Sequence, residues 1–210
     1  MAEIKIGRIV LGSLQTNCYF VFREDKKRAV VFDPADRGVD VYNALKGKGI
    51  DVEAICFTHG HSDHILGAKA LRDAAGVKIY ALDKEKEICE NSRDNLSEWL
   101  GRAYTVVADE YVADGTELVF DDICFKVIAT PGHTCGSCCY YVEEAGILVS
   151  GDTLFLESTG RTDFPTGSMS QIVRSIKDKL FVLPEETKVY PGHGDQTTIE
   201  HEKKYNPFVG

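Results

Sequence analysis

The chain has 210 residues, a formal charge of −9 and 43% hydrophobic residues, the proportions of a globular protein that can bury a core without disulfides or a structural metal. That acidic balance argues against a nucleic-acid partner, whose phosphates require clustered Lys and Arg. No apolar run approaches a membrane span, no signal peptide is expected in the start MAEIKIGRIVLG, and seven scattered cysteines suit reduced thiols in the cytoplasm.

Short β-rich runs are expected at Ile4–Leu11, 18–22 and 29–32, the last closed by Asp33-Pro34. Lys26-Lys27-Arg28 follows Glu24-Asp25 and reads as a solvated hairpin tip. Val41, Leu45 and the stem of Lys48 are spaced for one face of a helix over 39–48. A short buried strand at 54–57 precedes a helix over 65–75 that Gly76 stops, then a strand at 77–81 and helix over 84–100 in one or two pieces. Strands follow at Glu117–Phe120, Ile123–Ala129, Cys138–Val142 and 147–150. Ser168 with Gln171 predicts a capping box for a helix reaching Leu180. One more strand at 188–190 leads to a last short helix capped by Thr197 with Glu200. No linker interrupts the series, so one domain over 1–210 is expected. Antiparallel strand groups with interspersed helices predict two packed sheets with helices outside, a layered α/β sandwich. Two strands run into Pro-Gly-His, at His133 and His193, as though two half-domains each delivered a histidine.

The stretch FTHGHSDH, positions 57–64, holds three of the chain's six histidines and an aspartate. Residues two apart in an extended segment point the same way, so His59 and His61 can converge on one ion. Once the chain turns helical after Ser62, Asp63 and His64 can face a second ion. Packing three imidazoles with a carboxylate has no structural motive: as cations they repel, and buried neutral groups each need a partner. Imidazole with carboxylate suits zinc, iron or manganese. His133, Asp152 and His193 share one setting, a ligand type beside glycine at the end of a β-run. Each alone reads as a structural residue or a turn. With the loop they make five histidines and two aspartates, too many for one tetrahedral ion and suited to two ions about 3.5–4 Å apart.

His201, inside the last expected helix, reads as an exposed surface residue. Thr58 is either an outer partner of a ligand or an ordinary strand-end threonine. Cys135-Gly-Ser-Cys138-Cys139 reads as small buried residues on a loop and strand, since no thioredoxin-like helix start follows.

With His59-Gly-His61-Ser-Asp63-His64, Pro-Gly-His133, Gly-Asp152 and Pro-Gly-His193 in this order, the chain resembles metallo-β-lactamase-fold hydrolases, and within them a short form of glyoxalase II (hydroxyacylglutathione hydrolase). The resemblance runs from Thr16-Asn-Cys-Tyr19 to Asn206-Pro-Phe208, with Gly151-Asp-Thr-Leu-Phe155 and Gly160-Arg161 especially similar to that branch. It implies a four-layer αββα sandwich, two mixed sheets with helices on the outer faces. It further implies one ion on His59, His61 and His133, a second on Asp63, His64 and His193, and Asp152 between them. The expected cofactors are two divalent ions, zinc first, with iron or manganese as alternatives. Asp63 and Asp152 are then the candidate catalytic carboxylates, and a metal-bridging hydroxide is expected to attack a small thioester of the S-lactoylglutathione type. Arg161 is the candidate anchor for a substrate carboxylate. The family's full-length form adds a C-terminal helical segment with basic residues for the glutathione carboxylates, and carries an aromatic residue two positions after its last ligand. Here the sequence ends at Gly210 and Asp195 stands in the second place.

The runner-up is a mononuclear iron persulfide dioxygenase of the same fold, which the run GRTDF over 160–164 also resembles. Retention of Pro191-Gly-His193-Gly favours the two-metal hydrolase. The expected partner is a small-molecule thioester or ester, without nucleic acid or membrane, and the chain itself is expected to be a monomer or homodimer.

Overall fold

The computed structural model describes residues 2–209. Its first half is β1 (Ile4–Leu11), β2 (Thr16–Arg23), β3 (Arg28–Phe32), α1 (Gly38–Gly47), β4 (Asp51–Cys56), α2 (Ser62–Ile65), α3 (Ala68–Ala75), β5 (Lys78–Leu82), α4 (Lys86–Glu90) and β6 (Glu110–Val112). The second half is β7 (Glu117–Phe120), β8 (Ile123–Ala129), β9 (Cys138–Val142), β10 (Ile147–Gly151), the small hairpin β11 (Leu154–Phe155) and β12 (Ser158–Thr159), α5 (Met169–Ser175), β13 (Lys188–Pro191), β14 (Thr197–Thr198) and α6 (Ile199–Tyr205).

One sheet has the order β1-β2-β3-β4-β5-β6, the other β14-β13-β10-β9-β8-β7. Both are mixed: β3 through β6 run parallel after an antiparallel start, and β10 pairs β13 in parallel. Between the sheets lie Val21, Val30, Phe32 and Ala54 from one and Phe125, Val127, Tyr140 and Val149 from the other. The alternate residues Phe20, Val31 and Ile55 face outward and pack on Val41, Leu45 and Leu71 of α1 and α3. On the opposite outer face, Ile128, Cys139, Leu148 and Val189 meet Ile172 and Ile199. A strand covered on both faces has no polar side to offer, which is why VVF in β3 and ILV in β10 read as unbroken apolar runs. The result is helix, sheet, sheet, helix, as the sequence predicts. No helix among the described residues is long and apolar enough to cross a membrane.

Several local expectations are corrected. The helix expected over 65–75 is broken before Ala68, where Gly67 donates its N–H to the Pro34 carbonyl at 2.8 Å. A Cβ there would lie 2.5 Å from that oxygen. Helix over 84–100 stops at Glu90. Beyond it Asn91 Oδ1 accepts from Arg93 N–H, and the Ser97 hydroxyl donates to the Ser92 carbonyl, so side chains take the backbone groups a helix needs. Ser168 precedes α5, but its hydroxyl meets Ser170 and the capping box does not close. Thr198, not Thr197, caps α6 by accepting from His201 N–H, while Thr197 donates to buried Glu202. The two Pro-Gly-His segments leave the same sheet, so they do not represent two half-domains.

Candidate metal centre

Five segments that carry the site leave the carboxyl ends of strands, the end at which open α/β sheets place their ligands. Asp33 follows β3, the run from His59 to His64 follows β4, His133 follows β8, Asp152 follows β10 and His193 follows β13. A register shift between Val149 and Gly151 re-aims the chain just before Asp152. Gly192 has to be glycine for space: a Cβ would stand 2.2 Å from Asp152 Oδ1 and 2.7 Å from His64 Cε1.

All seven predicted side chains meet. Ligand-type atoms lie within 4.8 Å of one another in three groups: His59, His61 and His133; Asp63, His64 and His193; and His59, His64 and Asp152. In the first, His61 Nδ1 is 2.8 Å from His133 Nε2. In the second, His193 Nε2 is 3.2 Å from Asp63 Oδ2 and 3.3 Å from His64 Nε2. Asp152 reaches both, with Oδ1 3.5 Å from His64 Nε2 and Oδ2 3.5 Å from His133 Nε2.

Most of the imidazoles are oriented from outside. His64 Nδ1 faces Asp33 Oδ2 at 3.0 Å, His133 Nδ1 the Arg161 carbonyl at 2.7 Å, His193 Nδ1 the Leu14 carbonyl at 3.1 Å and His59 Nδ1 the Thr58 hydroxyl at 3.2 Å. Each therefore turns Nε2 inward, the arrangement by which proteins fix the tautomer of a metal-binding histidine. Thr58 is thus an outer partner: its N–H and hydroxyl both donate to Asp33, at 2.8 and 2.6 Å.

Burial and neighbouring imidazoles hold His59 and His61 well below the usual histidine range. His64 goes the other way, to about 10, because Asp63, Asp152 and Asp33 outweigh its burial. Asp63 is kept below the carboxylate range by His64 and His193 despite burial. What remains in the site is a set of buried atoms without a hydrogen-bond partner among the described residues: His59 Nε2, His61 Nε2 and Asp152 Oδ1. Orphaned polar atoms of this kind are costly, and divalent cations are the partners they fit.

Two contributors escaped the sequence reading. Asp33 looked like the end of a strand. Glu85, in a run of charges, is fully buried and clasps two ligand loops, accepting from Gly60 N–H at 2.7 Å and the Thr134 hydroxyl at 2.9 Å. Arg161 lines the cleft over the site, but its guanidinium pairs with Asp163 at 2.8 and 2.7 Å. His201 lies away from the centre, in contact with Glu157. Cys138 and Cys139 are buried free thiols whose pKa burial pushes up, and Cys135 is shifted the same way.

A family model, the metallo-beta-lactamase superfamily, matches residues 11–193 and so spans all seven candidate ligands together with Asp33 and Glu85. The chain belongs to the metallo-beta-lactamase superfamily. Among members of the superfamily, it is 30% identical to the hydroxyacylglutathione hydrolase GloC of Haemophilus influenzae, over 98% of both chains. It is similar to the solved BLEG-1 B3 metallo-beta-lactamase, with 38% identity, a TM-score of 0.93 and coverage of 98% of this chain and 99% of that one. A structure of TTHA1623 in a di-iron-bound form has 31% identity and a TM-score of 0.86, with 96% and 99% covered.

Proposed function

We propose that this superfamily member is a binuclear-metal hydrolase that cleaves a small thioester of the S-lactoylglutathione type, in the cytoplasm, with the whole chain as one catalytic domain. The observation that carries the reading is the pair of ligand triads, His59/His61/His133 and Asp63/His64/His193, with Asp152 within reach of both. GloC supports the thioester and the di-iron form of TTHA1623 supports two ions. The first triad would hold one ion and the second another, with Asp152 shared. Bound there, divalent ions supply a water of pKa about 7 and a Lewis acid for the substrate carbonyl. The protein supplies the rest. Asp33, Thr58 and the Leu14 and Arg161 carbonyls keep the imidazoles aimed at the centre. The Thr16 hydroxyl donates to Asp63 Oδ2 at 3.0 Å and holds that carboxylate in place. Phe155 and Phe164 meet His193 and His61 edge-on and give the substrate's side of the site an apolar lining.

The test is to load the full chain with zinc or iron, count the ions and follow thiol release from S-lactoylglutathione. Two ions per chain with thiol release is the expected result. One iron per chain, with O₂ consumed on glutathione persulfide and no hydrolysis, would assign the dioxygenase that the run over 160–164 resembles.

A further inference from the structure

The cleft above the two triads is apolar along most of its wall. Leu14, Leu96, Trp99, Leu100, Phe155 and Phe164 line a cavity of about 500 Å³, a volume suited to a small organic ligand. Trp99, Leu14 and Leu100, all on the lining of this cleft, remain 68%, 51% and 48% exposed, so apolar surface at its mouth faces water, a signature of a binding groove. Trp99 meets Phe164 edge-on at 6.0 Å, and Phe164 meets His61 at 5.5 Å. The apolar wall therefore runs from solvent down to the ligand histidines.

Charge points the same way. Among the described residues Arg161 is the one cationic side chain on this wall besides the histidines. Asp163 occupies its Nε and Nη2, and its planar face lies 4.0 Å over the Phe164 ring. Arg8 lies in a separate pocket, where it donates to the Gly194 carbonyl and stands 3.9 Å from Asp195. A carrier with two carboxylates, such as glutathione, meets no unpaired Lys or Arg side chain on this wall, and an uncharged aryl or alkyl group meets six apolar side chains.

We propose, keeping the metal-dependent thioester hydrolysis of the reading above but departing from it on the carrier, that the site selects uncharged thioesters bearing an aryl or alkyl group over carboxylate-bearing ones such as glutathione thioesters, and that Trp99 and Phe164 bind that group. Discrimination resides in the rim, because burying the apolar group removes both surfaces from water while a carboxylate placed there loses hydration without gaining a partner.

S-benzyl thioacetate and S-acetylglutathione share one acyl group and an alkyl thiol leaving group, so their ratio reports the carrier. For the metal-loaded full chain, kcat/KM is expected to favour S-benzyl thioacetate by at least about tenfold. Trp99→Ser and Phe164→Leu should each bring that ratio toward one, chiefly by raising KM for the benzyl compound. Trp99 is the chain's single tryptophan, so its fluorescence reports occupancy without turnover. Titration with 4-phenylbutan-2-one, the non-hydrolysable ketone with CH₂ in place of sulfur, should shift that emission, whereas S-methylglutathione at equal concentration should not. A ratio of one or below, or emission that ignores the ketone, overturns the selectivity and leaves thioester hydrolysis standing. Failure to cleave either thioester removes the hydrolase reading and this inference with it.

Discussion

His64 Nδ1 lies 3.0 Å from Asp33 Oδ2, and the two side chains are 0% and 2% exposed. Asp33 also accepts both donors of Thr58, so one buried carboxylate orients the loop after β4 and a histidine within it. Its backbone is left-handed, with φ at 49°, a conformation that Asn shares readily with Asp. Asp33→Asn therefore keeps the shape and removes the charge. Zinc affinity, measured by competition with a chelator, should fall by about 10- to 100-fold while the fold persists. Unchanged affinity would show that the Asp33 charge does not support the site.

Glu85 makes stability depend on pH. Burial raises its carboxyl from an ordinary 4.5 to about 7, against the pull of donors from Gly60, Thr134 and Gly136. Between those values the native chain binds more protons than the unfolded one, so the contribution is full below pH 4.5 and is lost as pH rises through 7. In urea denaturation of the metal-free chain, wild type should lose about 1.4 kcal/mol per pH unit relative to Glu85→Gln across that window. A difference independent of pH refutes the assignment.

His193 is the member of the second triad most open to solvent, with 29% of its side chain exposed, so its removal should spare the core. His193→Ala is expected to lower metal content from two ions to one. Loss of an ion that contributes several kcal/mol in the transition state should cut thioester hydrolysis by about 100-fold or more. Full activity with one ion would break the proposed division of ligands.

Arg161 and Asp163 pair at the surface of the cleft, both more than half exposed. Asp163→Asn should release the guanidinium for a substrate carboxylate. We expect kcat/KM for S-acetylglutathione to rise about two- to fivefold, the range of exposed ion pairs, with S-benzyl thioacetate unaffected. No gain for the anionic thioester would mean that Arg161 does not reach it.

The candidate ligands were legible because His59, His61, Asp63 and His64 fall within one short loop, where residue type and spacing already point to metal binding. Asp33 and Glu85 were not, since each acts on a partner 25 positions away and Glu85 sits in a charge run of the kind that normally faces water. The wall of the cleft was misread for a related reason. The segment 84–100 was expected to be helical in one or two pieces, but the helix ends at Glu90, where Asn91 and Ser97 bind the backbone and the chain turns instead. That turn is what brings Leu96, Trp99 and Leu100 over the site.

By itself the sequence determined the layered α/β class and the seven side chains with metal-binding chemistry, because apolar patterning and ligand type are properties of residues and their neighbours in the chain. Only the tertiary structure decided which nitrogen of each imidazole faces inward, that Glu85 is buried, and that Arg161 is already neutralised. Those outcomes depend on contacts between segments far apart in the chain, whose geometry exists only once the two sheets have packed.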